Sequence, residues 1–202
     1  MTNQSLLENY PRLVLASQSP RRRRLLESLG ISFQVVSPGV DGPSDNQDPG
    51  PRALDIAAGK AWAVAKIHPR RWVLAADTLV WQDGEFFPKP QDLEQAQGYL
   101  AQLLGKSHEV WTGVCLLTPC GEAHGQADSA LVAIKDLGLE EQRSYLATQE
   151  WVGKAGGYAI QGHAGTFATV VQGEQETVIG LSTQTVRALL RQAGTCLEEF
   201  CG

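Results

Sequence analysis

The sequence predicts a single α/β domain over residues 1–202, and three observations carry that expectation. Short apolar runs of strand length alternate with segments of helical periodicity. Turn and capping residues fall between these segments rather than inside them. No internal repeat, heptad series or low-complexity tract interrupts the alternation. The 202 residues are 43% apolar and 19% charged, which excludes disorder, collagen and coiled coil. A chain of this length buries a substantial core without metal or disulfide staples.

The elements follow in order. Leu13 to Ala16 is a short buried strand, and Ser19, Pro20 and Gly30 bracket a helix as N-cap, first position and C-terminal cap, with Leu25, Leu26 and Leu29 as its buried stripe. A loop over 37–51, broken by four prolines, precedes an Ala-rich helix over 52–67. Residues 72–81 form a buried strand ending at the hairpin signal Asp83-Gly84. Asp92 caps a helix that ends at Gly105, with Gln95 at its third position and Leu93, Ala96, Leu100, Leu103 and Leu104 facing inward. Residues 107–117 and 122–135 read as paired strands and 139–149 as a helix. Gly-rich residues 153–165 lead into strand-like runs at 166–171 and 177–179, joined at Gly173, before a last helix from Ser182 to Ala193.

The net charge of −5 argues against a long nucleic acid or an anionic membrane held over a broad surface. The N-terminus has no basic and apolar leader pattern and no apolar run spans a bilayer, so the cytoplasm is the expected location. Four cysteines spaced as two C-x4-C pairs fit neither zinc nor CxxC chemistry and read as reduced structural thiols. The five tryptophans fall mostly in apolar segments and read as core. The four histidines are scattered singly, which argues against histidine ligation of a metal.

Three features carry chemistry. Arg21, Arg22 and Arg23 stand in the first turn of a helix, at the positive end of its dipole, where an anionic ligand turns an unfavourable placement into a favourable one; a solvated basic face or a nucleic-acid patch is the plain alternative. Asp77 and Thr78 interrupt an apolar strand, so the carboxylate needs a metal, a substrate-bound cation or a structural Lys or Arg partner. Lys89, stiffened between two prolines, and Lys154, in a Gly-rich segment that runs on to Gln161, add cations near turns, although such loops are commonly only turns. Cations recurring at loop edges around one carboxylate suit a small polyanion, a divalent metal and attack by water.

The motifs together resemble those of the Maf family of nucleoside triphosphate pyrophosphatases. Leu15-Ala16-Ser17-Gln18-Ser19-Pro20-Arg21-Arg22 is similar to its LAS-x-SPRR opening, Ala76-Asp77-Thr78 to its ADT, Lys89-Pro90 to its KP, and Lys154-Ala155-Gly156 through Gln161-Gly162 to its KAG-x-Y-x-IQG. Lys60-Ala61, Gly105 to Thr112 and Val178-Ile179-Gly180-Leu181 match further segments in the family's order. The resemblance implies a twisted mixed sheet flanked by helices, in two lobes with a central cleft, shared with inosine triphosphate pyrophosphatases. It implies cleavage between the α- and β-phosphates of a nucleoside triphosphate, with Mg²⁺ or Mn²⁺. By the same likeness Asp77 is the general base and a metal contact, and Ser17, Arg22, Lys60 and Lys89 hold the triphosphate. Arg21, Thr78 and Gln161 occupy the specificity positions and resemble the branch acting on dTTP and UTP. A homodimer is expected on the same ground. The chain departs from the family where Asp41 is followed by Gly42 instead of an acidic residue, and where Gly59 and Gly153 replace carboxylates. Those departures fit a rival in which a nucleotide-binding or cell-division regulatory protein keeps the cations without the hydrolysis.

Overall fold

The computed structural model describes residues 12–39 and 42–201, so Asp41 lies outside the described residues. A seven-stranded mixed sheet has the order β2-β1-β3-β5-β6-β7, with β4 paired to β3. Its strands are β1 (Leu13–Ala16), β2 (Phe33–Val36), β3 (Trp72–Gln82), β4 (Glu85–Phe86), β5 (Ser107–Leu117), β6 (Ala123–Ile134) and β7 (Ala168–Gln172). The helices are α1 (Pro20–Glu27), α2 (Pro49–Ile67), α3 (Leu93–Leu103), α4 (Leu139–Ala147), α5 (Gln175–Ile179) and α6 (Thr183–Gln192). β1 runs parallel to β2 and β3, and β3, β5, β6 and β7 pair antiparallel in that order.

The period of two along each strand sorts the core onto two faces. Leu13, Leu15, Leu74, Ala76, Val114 and Leu116 turn to one face and meet Leu26 of α1 and Val186, Leu189 and Leu190 of α6. Val14, Ala16, Val73, Ala75, Cys115 and Leu117 turn to the other and meet Ala57, Ala61 and Val64 of α2. A third cluster joins Val80, Val110, Val132 and Ile134 to α3, α4 and the segment around Tyr158. A cleft draws its wall from two of these clusters, with Ala16 from one and Val80, Val110, Tyr158 and Ile160 from the other.

Helix α2 lies flat on the sheet because glycines stand where it crosses. A Cβ on Gly113 of β5 would sit 2.4 Å from the backbone carbon of Ala53, and one on Gly50 would sit 2.8 Å from the Trp111 ring. Gly42 and Gly59 meet backbone to backbone in the same way, since a Cβ on Gly59 would lie 2.8 Å from the Cα of Gly42 and the reverse contact would be 3.0 Å. Neither position has room for the carboxylate that the resemblance led one to expect there.

Several expectations are corrected. Residues 177–179, read as strand, belong to α5: Val178 and Ile179 favour strands, but the turn closes on the bond from the Gly180 amide to the Glu176 carbonyl. Helix α2 begins at Pro49 rather than 52, because Pro49 and Pro51 fall in its first turn, where no amide donor is needed. β2 was not anticipated, and the Gly-rich segment holds one short 3-10 turn, Ala155–Gly157, and runs into a second, His163–Thr166. Leu93, expected inward, is 53% exposed, and Trp62, expected in the core, is 41% exposed. Asp92 does cap α3, but the Gln95 side chain accepts from the Gln91 amide instead of closing a box on Asp92. All four cysteines are free thiols, yet Cys120, Cys196 and Cys201 are exposed and only Cys115 is packed inside.

Candidate active site

β1 pairs with β3 only as far as Leu74, and β4 joins β3 only from Trp81. The intervening stretch of β3 therefore has one edge not covered by a neighbouring strand, and Asp77 and Thr78 lie on it. Consecutive strand residues face opposite ways, so Asp77 turns towards α2 and Thr78 towards α1. Lys60 of α2 is buried, and its Nζ donates to Asp77 Oδ1 at 2.5 Å, with the two side chains 6% and 14% exposed. A charge this far from water requires its partner, so the strand carboxylate has the structural lysine that the sequence left as one alternative.

The four arginines divide their tasks. The Ser19 hydroxyl accepts from the Arg22 amide and fixes the start of α1. Arg22 Nε donates to the Gly180 carbonyl at 2.8 Å and its Nη2 donates to Thr78 Oγ1 at 3.0 Å. Arg21 lines the cleft, its Nε is buried with no hydrogen-bond partner, and burial, then the charge of Arg22, lowers its pKa. Arg23 pairs with Glu27 one turn on, and Arg24 is exposed, so the solvated basic face describes these two only.

The cleft has a volume of about 580 Å³, and Ser17, Arg21, Arg22, Lys60, Asp77, Thr78, Lys89 and Gln161 all line it. Ser17 is buried and its Oγ accepts from the Ser19 amide at 3.2 Å. Lys89 reaches the cleft from the exposed turn after Phe87, and that turn is tied to the Gly-rich segment by the Gly156 amide, which donates to the Phe87 carbonyl at 2.8 Å. Gly156 is required there: its φ is +67° and a Cβ would press on Val80 Cγ2 at 3.0 Å. Asp77 is the one acidic side chain on the cleft wall among the described residues.

Lys154, which the sequence reading named as a cation in the Gly-rich segment, lines the same cleft, and burial together with the charges of Arg21 and Lys89 lowers its pKa against the opposing pull of Glu150. The sequence reading left two contributors out. Tyr158 also lines the wall, held from behind by His108, whose Nε2 lies 2.7 Å from the tyrosine oxygen. Burial pushes the His108 pKa down to about 4, and its Nδ1 is buried without a partner. The Nε2–H tautomer is the one that avoids a buried unpaired N–H, so His108 donates to Tyr158. A single histidine among strand residues carries no such message in sequence.

An arrangement of four or more cations around one carboxylate, beside an apolar wall of Val80, Val110, Ala155, Ile160, Val178 and Ile179, can hold a small polyanion with a flat apolar group attached. No group of three or more metal-ligating side chains exists among the described residues, and no helix among them is long and apolar enough to cross a membrane.

Comparison with known proteins finds relatives along most of the chain. The dTTP/UTP pyrophosphatase of Deinococcus radiodurans is 41% identical over 93% of this chain and 95% of its own length. The proteins of the same name from Novosphingobium aromaticivorans and Pyrococcus abyssi are 41% and 38% identical over 91% and 89% of this chain, covering 92% and 95% of their own lengths. Among solved structures, the Staphylococcus aureus Ham1 protein is similar with a TM-score of 0.46 and 15% identity, over 61% of this chain and 72% of that one. The Maf-like protein family model matches residues 12–193. With that match running from β1 through α6, the chain belongs to the Maf family.

Proposed function

We propose that the protein is a nucleoside triphosphate pyrophosphatase that hydrolyses dTTP and UTP to the monophosphate and pyrophosphate. The observation that carries this is the convergence of Arg21, Arg22, Lys60 and Lys89 on one cleft with a single carboxylate, Asp77. The names and identities of the relatives support the substrate assignment. In this reading Arg22, Lys60, Lys89 and Ser17 bind the triphosphate, and Arg21, Thr78 and Gln161 select the base. Lys60 occupies Asp77 Oδ1, leaving Oδ2 to accept the proton of the attacking water. Water adds at phosphorus, the α–β anhydride bond breaks, and the electron pair leaves on pyrophosphate.

A divalent cation fits the donor set. Asp77 is a hard oxygen ligand, and Mg²⁺ or Mn²⁺ is commonly held by one or two carboxylates with the substrate's own phosphates completing the shell. Asp77 would hold it, and its contribution would be neutralisation of charge on the phosphates. The cytoplasm as location and a homodimer as assembly belong to the proposal on the family resemblance alone.

The absence of a second carboxylate on the described cleft wall favours a second reading, a nucleotide-binding or cell-division regulatory protein without turnover. One assay separates the two: pyrophosphate and orthophosphate are measured separately from dTTP, UTP and a panel of other triphosphates with Mg²⁺ or Mn²⁺. Pyrophosphate from dTTP and UTP supports the enzyme, tight dTTP binding without turnover selects the second reading, and orthophosphate as first product refutes α–β cleavage. Asp77→Asn is expected to lower kcat by about 10²–10⁴-fold with dTTP binding retained.

A further inference from the structure

We propose that Thr112 is a positioning residue of the cleft, which takes the one hydroxyl hydrogen of Thr78 and so fixes Thr78 as an acceptor and Arg22 as its donor. As a role in nucleotide handling this rests on the proposed function; as a statement about Arg22 it stands alone. Thr112 lies on β5 directly opposite Thr78 and is 1% exposed, out of reach of any ligand. Its Oγ1 stands 2.7 Å from the Thr177 carbonyl of α5 and 2.9 Å from Thr78 Oγ1.

The directions of these bonds follow from the hydrogens available. A carbonyl only accepts, so Thr112 spends its single hydroxyl hydrogen on Thr177. The hydrogen between the two hydroxyls must then come from Thr78. A guanidinium only donates, so Arg22 Nη2 gives to Thr78 Oγ1 while its Nε gives to Gly180. The chain runs one way, from Arg22 through Thr78 and Thr112 to Thr177, and joins α1, β3, β5 and α5. Thr78 has no hydrogen left for a ligand and can offer only a lone pair, so whatever part of a nucleotide meets it must be a donor. No other bond accepts from Thr112 or holds the Thr177 carbonyl among the described contacts.

The test uses the full chain with Thr112→Val, which keeps the shape and removes the hydroxyl, and Thr112→Ser, which restores it. The first readout is the Arg22 Nη–H resonance, the one that belongs to the bond to Thr78, in ¹⁵N-correlated NMR, assigned with Arg22→Lys. Thr112→Val is expected to shift it to the position of solvent-exposed arginines, and Thr112→Ser to return it to the wild-type position. The second is steady-state dTTP hydrolysis, where KM is expected to rise about tenfold in Thr112→Val with kcat changed by less than about threefold, and to recover in Thr112→Ser. A folded Thr112→Val protein with the wild-type Arg22 resonance overturns the positioning role, and an unchanged KM overturns its part in nucleotide handling. Should Thr112→Val fail to fold, Thr78→Val cuts the chain one link earlier while leaving Thr112 on Thr177, and the same resonance decides. A wild-type protein that hydrolyses no triphosphate refutes the proposed function, and the NMR result still decides for or against Thr112.

Discussion

Burial acts on single groups here with consequences that can be measured. His108 is held neutral behind Tyr158, with a pKa pushed down to about 4 against an ordinary value of 6.5. The unfolded chain therefore binds a proton between these values that the folded chain refuses. Stability is fully present above about pH 6.5 and falls as the pH drops towards 4, by about 3 kcal/mol for this group. Chemical denaturation of the wild type and His108→Gln at pH 7.5 and 4.5 checks this, and the variant is expected to lose the part of the slope that His108 contributes. The residues legible in the sequence were those that break a pattern. Asp77 and Thr78 stand out in an apolar strand, and the arginines stand out at a helix N-terminus. Thr112 and His108 break nothing, since a threonine or a lone histidine is ordinary in a half-polar strand.

At the scale of elements, the site depends on how closely α2 approaches the sheet. Gly113 pairs with Asp77 across β3 and β5, and it is Gly113 that admits the backbone of α2 at Ala53. Lys60 lies seven residues further along the same helix, about two turns, so the approach at Ala53 sets the reach of Lys60 to Asp77. Gly113→Ala is expected to lift α2 and destabilise the fold by about 2 kcal/mol, with a loss of dTTP turnover beyond what the fall in Tm explains. Scanning calorimetry beside the pyrophosphate assay measures both. The order of strands and helices was readable because caps and turns punctuate it, as at Ser19-Pro20, Asp83-Gly84 and Asp92. α5 was not, because five residues make too short a window for a period of 3.6 to show against the strand preference of Val178 and Ile179. The docking of α2 was equally hidden, since the glycines that allow it lie far apart in sequence.

For the molecule as a whole, the net charge of −5 and the cationic cleft act at different ranges. A triphosphate in solution meets an acidic body that repels it weakly and a cleft that attracts it strongly at short distance. Raising NaCl from 0.05 to 0.5 M screens both, and the cleft contribution dominates. Affinity for dTTP by calorimetry is therefore expected to weaken about tenfold or more across that range, and less in Lys89→Gln than in the wild type. The contact between Gly42 and Gly59 couples two positions that are far from neighbours in the chain. Each glycine occupies the space the other's side chain would need, so a carboxylate placed at either position alone collides with backbone at the other. Substitutions at the two sites are therefore expected to be non-additive, and a side chain is admitted at Gly59 only after the backbone at Gly42 has moved.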